Sequence, residues 1–555
     1  RSAIQDWQWL GGLLMVVGAY LIWYLIAGPY TEVPADLYRH LEFTKYQFEL
    51  ISNGSFGPPL SLWQLATQQG GFWYVLVAFA AHVTDTGLID VIYPVMLING
   101  TVFLLGVYVF SNQLFQTLSL STVQMRIAAV LTCAFVVIQM GVTAFSFVRY
   151  YSMAPGILNM VVLFAAQVCM MNLVGLGQNQ AHRVPSMSRG LSGLLLILCF
   201  GVALAMHNQE GLFILTMAVV LSVLMVFFRI KDRVIEAAKV NWISLGVLFF
   251  AVVSGLVFLL LTFDQAPVPQ SRNHKVIALP FSLPSYGPLY ILNPKYQFAE
   301  VVTVWGILVS LLFVIWIRFF KRQPLLVVGM LVPFVTVFNP IFVDVFLRIK
   351  DDHSLWRLCF LMPLYPVAAL FITKCAGEWL RYSFKRKVAI FVTILMLFVL
   401  PFSPRLNPHV RISNLAVAES NSYQLWQDLL NELNSFDQAE RVLTDPVTGY
   451  VISALTPHIT FRYKFFASDL YHAFPFVFDS YDEFPLARYW NWLLVVNRRD
   501  GAASESGSRS GHWPENIMKV SKYYPANLIS HLDGNPDLFE LIWQQDTISI
   551  YRINQ

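Results

Sequence analysis

The sequence predicts a polytopic α-helical membrane protein carrying a soluble α/β domain at its C-terminal end, and three observations lead there. Of 555 residues, 56% are hydrophobic and only 13% charged, whereas soluble domains are nearer a quarter charged. The apolar residues gather in runs of roughly 18 to 23, long enough to cross a hydrocarbon core of about 30 Å as helices; barrel strands would be shorter and alternating. After Phe402 the runs stop, and the last 150 or so residues have ordinary polarity.

Read by length and lack of charge, crossings fall at about 8–28, 87–110, 126–147, 154–175, 190–206, 211–229, 241–263, 300–318, 325–345, 357–377 and 387–402. That makes about eleven transmembrane helices. The run GFWYVLVAFAAHVT (71–84) is short for a span and reads as a re-entrant or interfacial segment, or as an extension of the next helix. With eleven crossings, HRVPSMSR (182–189), RIKDRVIEAAK (229–239), RFFKR (318–322) and RYSFKRK (381–387) all share one side. The excess of Lys and Arg marks that side as cytoplasmic. The opposite side receives residues 29–70, the VRYY turn (148–151), HNQEG (207–211), the loop 264–299, RIKDDHSLWR (348–357) and everything after about 403. The expected organisation is therefore a transmembrane module, 1–403, followed by an extracytoplasmic domain, 404–555.

In the tail, RVLTD then PVTGYVISALT reads as a strand, a turn and a helix, and NWLLVVN and TISIYRI read as further strands. RRDGAASESGSRSGHW (498–513) is small, polar and Gly/Ser-rich, the composition of a loop. The net charge of +4 gives no ground for a nucleic-acid partner. The five cysteines all fall in or beside apolar runs, without metal-ligand or disulfide spacing. No P-loop and no Ser nucleophile elbow is present in recognisable form, so ATP-driven transport finds no support.

The chemically loaded residues lie on the predicted outer side. In TEVPADLYRHLEFTKYQFELIS (31–52), Pro34 suits a helix start, and Leu37, Leu41, Phe48 and Ile51 form an apolar stripe expected to lie in the membrane interface. Asp36, Arg39 and His40 share one face and Glu42 points elsewhere. Asp36 reads either as a first-turn acid complementing the helix dipole or as a general base just above the bilayer. Arg149, Tyr150 and Tyr151 form an external turn that serves either as a membrane anchor or as a substrate contact. His207, Asn208, Gln209 and Glu210 sit between two crossings joined by almost no loop, either as a structural polar cluster or against substrate.

The Pro-rich loop 264–299 carries Arg272, His274 and Lys275, and a loop of that length is usually functional or disordered. Lys350, Asp351, Asp352 and His353 precede the tenth crossing, and Arg357 heads it. A guanidinium there suits a phosphate, though snorkelling explains an Arg near a helix end equally. Asp36, Glu42, Asp351 and Asp352 offer oxygens for a divalent cation, but no spacing enforces such a site, and no obligatory metal or other cofactor is expected.

In plan the chain resembles the GT-C superfamily of membrane glycosyltransferases, which includes protein O-mannosyltransferases and lipid A aminoarabinose transferases. The matching pieces are TEVPADLYRHLEF, VRYYSMAP, WRLCFLMPLYP and, in the tail, RVLTDPVTGYVISALTPH. The resemblance implies a polyprenyl-phosphate-linked sugar as donor and a lipid, glycan or protein as acceptor. It implies an active site outside the cytoplasm in a multi-pass protein of a bacterial inner or plasma membrane. By the same resemblance Asp36 is the base that deprotonates an acceptor hydroxyl, which attacks the anomeric carbon with inversion. Arg149, Arg357, Lys350, His274 and Lys275 then hold the departing lipid phosphate. His40, Glu42, Tyr150, His207, Glu210, Asp351 and Asp352 complete the candidate substrate contacts. The chain departs from the pattern at its acids, since the pair found in many members is here Asp36 alone, with Glu42 six residues on.

Two other readings stay open. A transporter or flippase of lipid-linked saccharides would carry ionisable groups at mid-membrane, whereas Asp90 and Asp344 lie near the ends of apolar runs. An oligosaccharide ligase or polymerase shares the donor type but moves a whole glycan.

Overall fold

The computed structural model describes residues 2–27, 34–52, 71–116, 118, 120–140, 147–148, 152, 154–173, 188–206, 208–230, 276–283, 287–293, 304–320, 323–349, 355–399, 427–460, 490–498 and 528–554. In chain order the helices are α1 (Ser2–Ala27), α2 (Pro34–Ser52), α3 (Gly71–Thr84), α4 (Leu88–Phe115), α5 (Thr122–Gln139), α6 (Pro155–Leu173), α7 (Arg189–Met206) and α8 (Asn208–Ile230). A hairpin, β1 (Val276–Leu283) and β2 (Gly287–Leu292), precedes α9 (Val304–Ile315), α10 (Ile317–Phe320), α11 (Pro324–Val335) and α12 (Pro340–Ile349). A 3₁₀ segment, Trp356–Leu361, leads into α13 (Leu364–Gly377), and a second, Trp379–Arg381, into α14 (Phe384–Val399). The tail holds α15 (Gln427–Asn434), β3 (Arg441–Leu443), α16 (Pro446–Leu455), β4 (Ile459–Thr460), β5 (Leu493–Asn497), α17 (Leu528–Asp533), β6 (Phe539–Gln545) and β7 (Ile548–Ile553).

These elements form two compact units. The larger comprises Arg1–Ile26, Pro58–Trp73 and Val95–Ile412; the smaller comprises Ala27–Gly57, Tyr74–Pro94 and Ser413–Gln555.

The larger unit is helical. Among the described residues five helices are long and apolar enough to cross a membrane: Asp90–Phe115, Thr122–Gln139, Pro155–Leu173, Arg189–Met206 and Trp356–Gly377. Their starts follow local rules. Ser121 caps α5 by accepting from Gln124 N at 3.3 Å while Gln124 Oε1 accepts from Ser121 N at 2.9 Å, a reciprocal capping box. Pro155 opens α6, where a missing N–H costs nothing. Inside, Phe103, Tyr108, Phe135, Phe213, Phe320 and Trp356 are fully buried. Outside, Leu194, Ile197, Leu198, Leu311, Val314, Phe391 and Leu395 stand exposed along α7, α9 and α14. Exposed apolar faces of that extent belong in hydrocarbon, and the chain is built as an integral membrane protein.

Two predicted regions took a different form. The crossing expected at 325–345 divides into α11 and α12. Pro340 cannot extend a helix, and Asn339 Oδ1 caps the second one by accepting from Ile341 N at 3.1 Å. The Pro-rich loop 264–299 contains the antiparallel hairpin, paired from Val276↔Leu292 to Leu283↔Gly287 with an irregularity between Ala278 and Ser282. Leu292 N donates to Val337 O at 2.8 Å, so the hairpin is pinned to the break between α11 and α12. The crossing expected at 241–263 lies outside the described residues.

The smaller unit contains a five-stranded sheet in the order β4-β3-β5-β7-β6. β3 runs parallel to β4 and β5, and β7 runs antiparallel to β5 and β6. β5 is buried along its whole length, as the apolar run LLVV before Asn497 demands of a central strand. Leu443, Leu494, Val496, Leu528, Leu532, Phe539, Tyr551 and Ile553 form a core cluster with it. The β6–β7 turn places Asp546 at φ 49°, the left-handed geometry a tight hairpin needs and that Asp tolerates. The strands and helix read from RVLTD, PVTGYVISALT, NWLLVVN and TISIYRI are β3, α16, β5 and β7. The polar run expected to be a loop lies, apart from Arg498, outside the described residues.

Candidate functional site

Polar chemistry in the larger unit gathers where α6, α7 and α8 meet the first 3₁₀ segment. A single residue separates α7 from α8, so the two helices pack closely. At Gly211 an added Cβ would come within 2.6 Å of the Leu204 side chain, so the two helices approach closely at that point. This junction brings Gln209 and Glu210 into the first turn of α8, where both are buried. Glu210 suits that position because the N-terminal end of a helix favours negative charge. Asn159 of α6, itself fully buried, donates to Ala203 O at 2.9 Å and to Glu210 Oε2 at 3.2 Å.

Arg357 enters this cluster from the 3₁₀ segment. Its Nη1 donates to Gln209 Oε1 at 2.8 Å, and its guanidinium carbon lies 5.8 Å from the centre of the Trp356 ring. Trp356 is wholly buried and meets Phe360 edge-on, with ring centres 5.5 Å apart. The segment is held against α11 by close approach: a Cβ added at Gly329 would fall 2.6 Å from Pro363 Cδ and 2.8 Å from Leu361 O. Nearby, Asn99 of α4 donates to Ser152 O at 2.8 Å and anchors the turn that precedes α6. The result is a half-buried guanidinium oriented by Gln209, a group suited to an anionic oxygen.

The smaller unit organises the amphipathic helix. Asp36 belongs to the first turn of α2, but its side chain is outside the described part. One turn on, His40 Nδ1 and the Tyr74 hydroxyl share a hydrogen bond of 2.7 Å, with Phe43 against the same ring. Leu41 and Thr44 are fully buried, and Phe48 meets His82 edge-on. The stripe expected to face lipid is thus partly spent on protein packing. Lys45 Nζ donates to Ser453 O at 3.0 Å and to Thr456 O, carbonyls at the C-terminal end of α16. A cation is favoured there by the helix dipole. Burial nevertheless pushes the Lys45 ammonium below its ordinary 10.5, with Glu49 and Glu42 acting in the opposite direction.

At the other end of α16, Asp445 Oδ1 accepts from Thr448 N at 2.8 Å as an N-cap, and Asn497 of β5 donates to Thr448 Oγ1 at 3.3 Å. His458 accepts from Glu440 N at 2.9 Å through Nδ1 and donates to Leu433 O at 2.6 Å through Nε2. Both ring nitrogens are committed to backbone, a structural role.

Of the residues singled out from sequence, Arg357 and Glu210 are brought into one cluster, linked through Gln209. His40 and half-buried Glu42 lie on α2. Arg149, Tyr150, His207, His274, Lys275, Lys350, Asp351 and Asp352 lie outside the described residues. Sequence reasoning missed Asn159, because one Asn in an apolar run carries no mark of its partner. It also missed the role of Lys45, whose acceptors are backbone carbonyls.

The fold is similar to that of solved archaeal oligosaccharyltransferases. The solved structures it resembles include the oligosaccharyltransferase of Archaeoglobus fulgidus in its apo form, with a TM-score of 0.54 at 12% identity over 90% of this chain and 70% of that one. The same enzyme tethered by a disulfide to an acceptor peptide containing the NVT sequon matches with a TM-score of 0.54 at 11% identity, over 100% and 75%. The archaeal oligosaccharyltransferase AglB from the same organism, in complex with an inhibitory peptide and a dolichol-phosphate, gives 0.50 at 12% identity, over 93% and 69%. No family model matches the sequence, and no curated protein sequence matches it significantly.

Proposed function

We propose that this protein is a membrane glycosyltransferase that takes a sugar from a polyprenyl-phosphate-linked donor and joins it to an acceptor hydroxyl, with inversion, on the extracytoplasmic side. The observation that carries the reading is the Arg357 guanidinium, held by Gln209, the neighbour of the buried first-turn acid Glu210 of α8. A fold shared with a protein solved with a dolichol-phosphate supports it. In the proposed reaction Asp36 takes the proton of the acceptor hydroxyl and the freed oxygen attacks the anomeric carbon. The bond from that carbon to the phosphate oxygen breaks, and the lipid phosphate leaves with the electron pair. Charge developing on the phosphate is the natural target of a preorganised cation. Arg149, Lys350, His274 and Lys275 belong to the same proposed phosphate-holding set. His40, Glu42, Tyr150, His207, Glu210, Asp351 and Asp352 remain the proposed substrate contacts.

The proposal includes eleven crossings, a boundary at 403/404, and a tail and active site that face away from the cytoplasm of a bacterial inner or plasma membrane. It includes turnover without an obligatory divalent cation, so a chelator is expected to leave the rate unchanged. Transfer of a whole glycan is the second reading, favoured by likeness to an oligosaccharyltransferase solved with an acceptor peptide.

The test is transfer from a synthetic polyprenyl-phosphate sugar by the reconstituted chain. Asp36→Asn is expected to lower turnover by about 100-fold or more, the range removed with a general base. Full turnover in that variant would discard Asp36 as the base. Lipid translocation without transfer by the wild-type chain would establish the flippase instead.

A further inference from the structure

The turn between α13 and α14 presents an unusual surface for a segment between two apolar helices. Leu380 is 91% exposed and Phe384 is 80% exposed, while Arg381, Lys385 and Arg386 stand exposed around them and Lys387 is half-buried. The turn is an ordered device. Arg381 N donates to Glu378 O at 2.9 Å and Tyr382 N to Trp379 O at 3.3 Å. The acid of this turn is already spoken for: Glu378 pairs with Lys374 at 2.6 Å and accepts from the Tyr382 hydroxyl at 2.8 Å. Those two partners hold its carboxyl below the usual carboxylate range, so it stays ionised and matched to Lys374. The four cations at 381–387 therefore project a net positive field that Glu378 does not cancel.

Depth follows from the next helix. Val388, Phe391, Val392, Leu395, Met396 and Val399 of α14 are exposed and apolar, a face that belongs in hydrocarbon. The turn at the start of that face lies at the lipid–water boundary. There Leu380 and Phe384 meet acyl chains, and the guanidinium and ammonium groups stand at the level of head-group phosphates.

From this we infer that residues 379–387 form a binding surface for anionic phospholipid, with Leu380 and Phe384 as apolar wedges and Arg381, Lys385, Arg386 and Lys387 as the phosphate-facing cations. The occupant is a lipid because the cations surround exposed apolar side chains; a soluble anion would gain nothing from Leu380 or Phe384.

Native mass spectrometry of the detergent-solubilised full chain, titrated with phosphatidylglycerol and with phosphatidylcholine, tests the inference. The wild-type chain is expected to retain phosphatidylglycerol over phosphatidylcholine by roughly tenfold or more, since several cations act together. R381Q/K385Q/R386Q is expected to lose that preference while keeping phosphatidylcholine adducts, which reports an intact fold. K231Q/R233Q/K239Q removes the same charge elsewhere and is expected to keep the preference. Equal retention of both lipids by the wild-type chain, or an unchanged preference in R381Q/K385Q/R386Q, would overturn the inference. So would an equal loss in the control, which would reduce the effect to net charge.

Discussion

The Arg357 cluster and the α2–α16 joint each hold one cation against uncharged oxygen, yet they are built in opposite ways. Arg357 is fixed by a side chain, Gln209, itself set by a helix start and a tight junction. Lys45 is fixed by main-chain carbonyls of Ser453 and Thr456, which any residues at those positions would offer. The first arrangement depends on residue identity and suits recognition. The second depends on the helix ending where it does, and suits attachment.

Substitutions should separate the two. Arg357→Ala has the largest expected effect, about a 100-fold loss of transfer in the reconstituted assay, comparable to removing one preorganised donor from an anion site. The fold should survive, because the Trp356 and Phe360 packing remains. Gly329→Ala comes next: its methyl would press on Pro363 and Leu361 O and shift the segment carrying Arg357, costing about 1–3 kcal/mol. Thermal unfolding of the purified chain measures that cost, and an unchanged midpoint would break the link between the close approach and the site.

Lys45→Met should be milder, about 1 kcal/mol for a half-buried charged donor, read as faster amide exchange in 34–52 and 446–455. Transfer chemistry should change little if the joint is only an attachment. The smallest effect is a titration. Because burial disfavours the Lys45 ammonium, the folded chain binds fewer protons here than the unfolded chain just below pH 10.5. The contribution of this residue to stability should rise as pH climbs toward 10.5 and be lost as pH falls through its folded value. An NMR titration of ¹³C-methylated lysines should show one resonance below the ordinary lysine range that disappears in Lys45→Met.

The same contrast decides what was legible in the sequence. α16 and β3, β5 and β7 were readable because strand, turn and helix carry local signals, as in RVLTDPVTGYVISAL. Arg357 was readable as a cation at a helix end. The hairpin at 276–292 was hidden by Pro280, Pro284 and Pro288, since proline argues against a strand except where no ladder bond is needed, as in an isolated pair. The break between α11 and α12 was hidden by apolar residues on both sides of Asn339. Lys45 was unreadable in principle: its partners lie more than four hundred positions away and are chemically anonymous.

The joint between α7 and α8 has a further consequence for the evolution of the chain. With one residue between Met206 and Asn208, an added residue there cannot loop out cheaply, and absorbing it inside α8 would rotate the following turn by about 100°. Gln209 and Glu210 would then face a different neighbour. Lineages of this protein should therefore show almost no insertions at 207, so gap placement among relatives would record how tightly Arg357 is indexed.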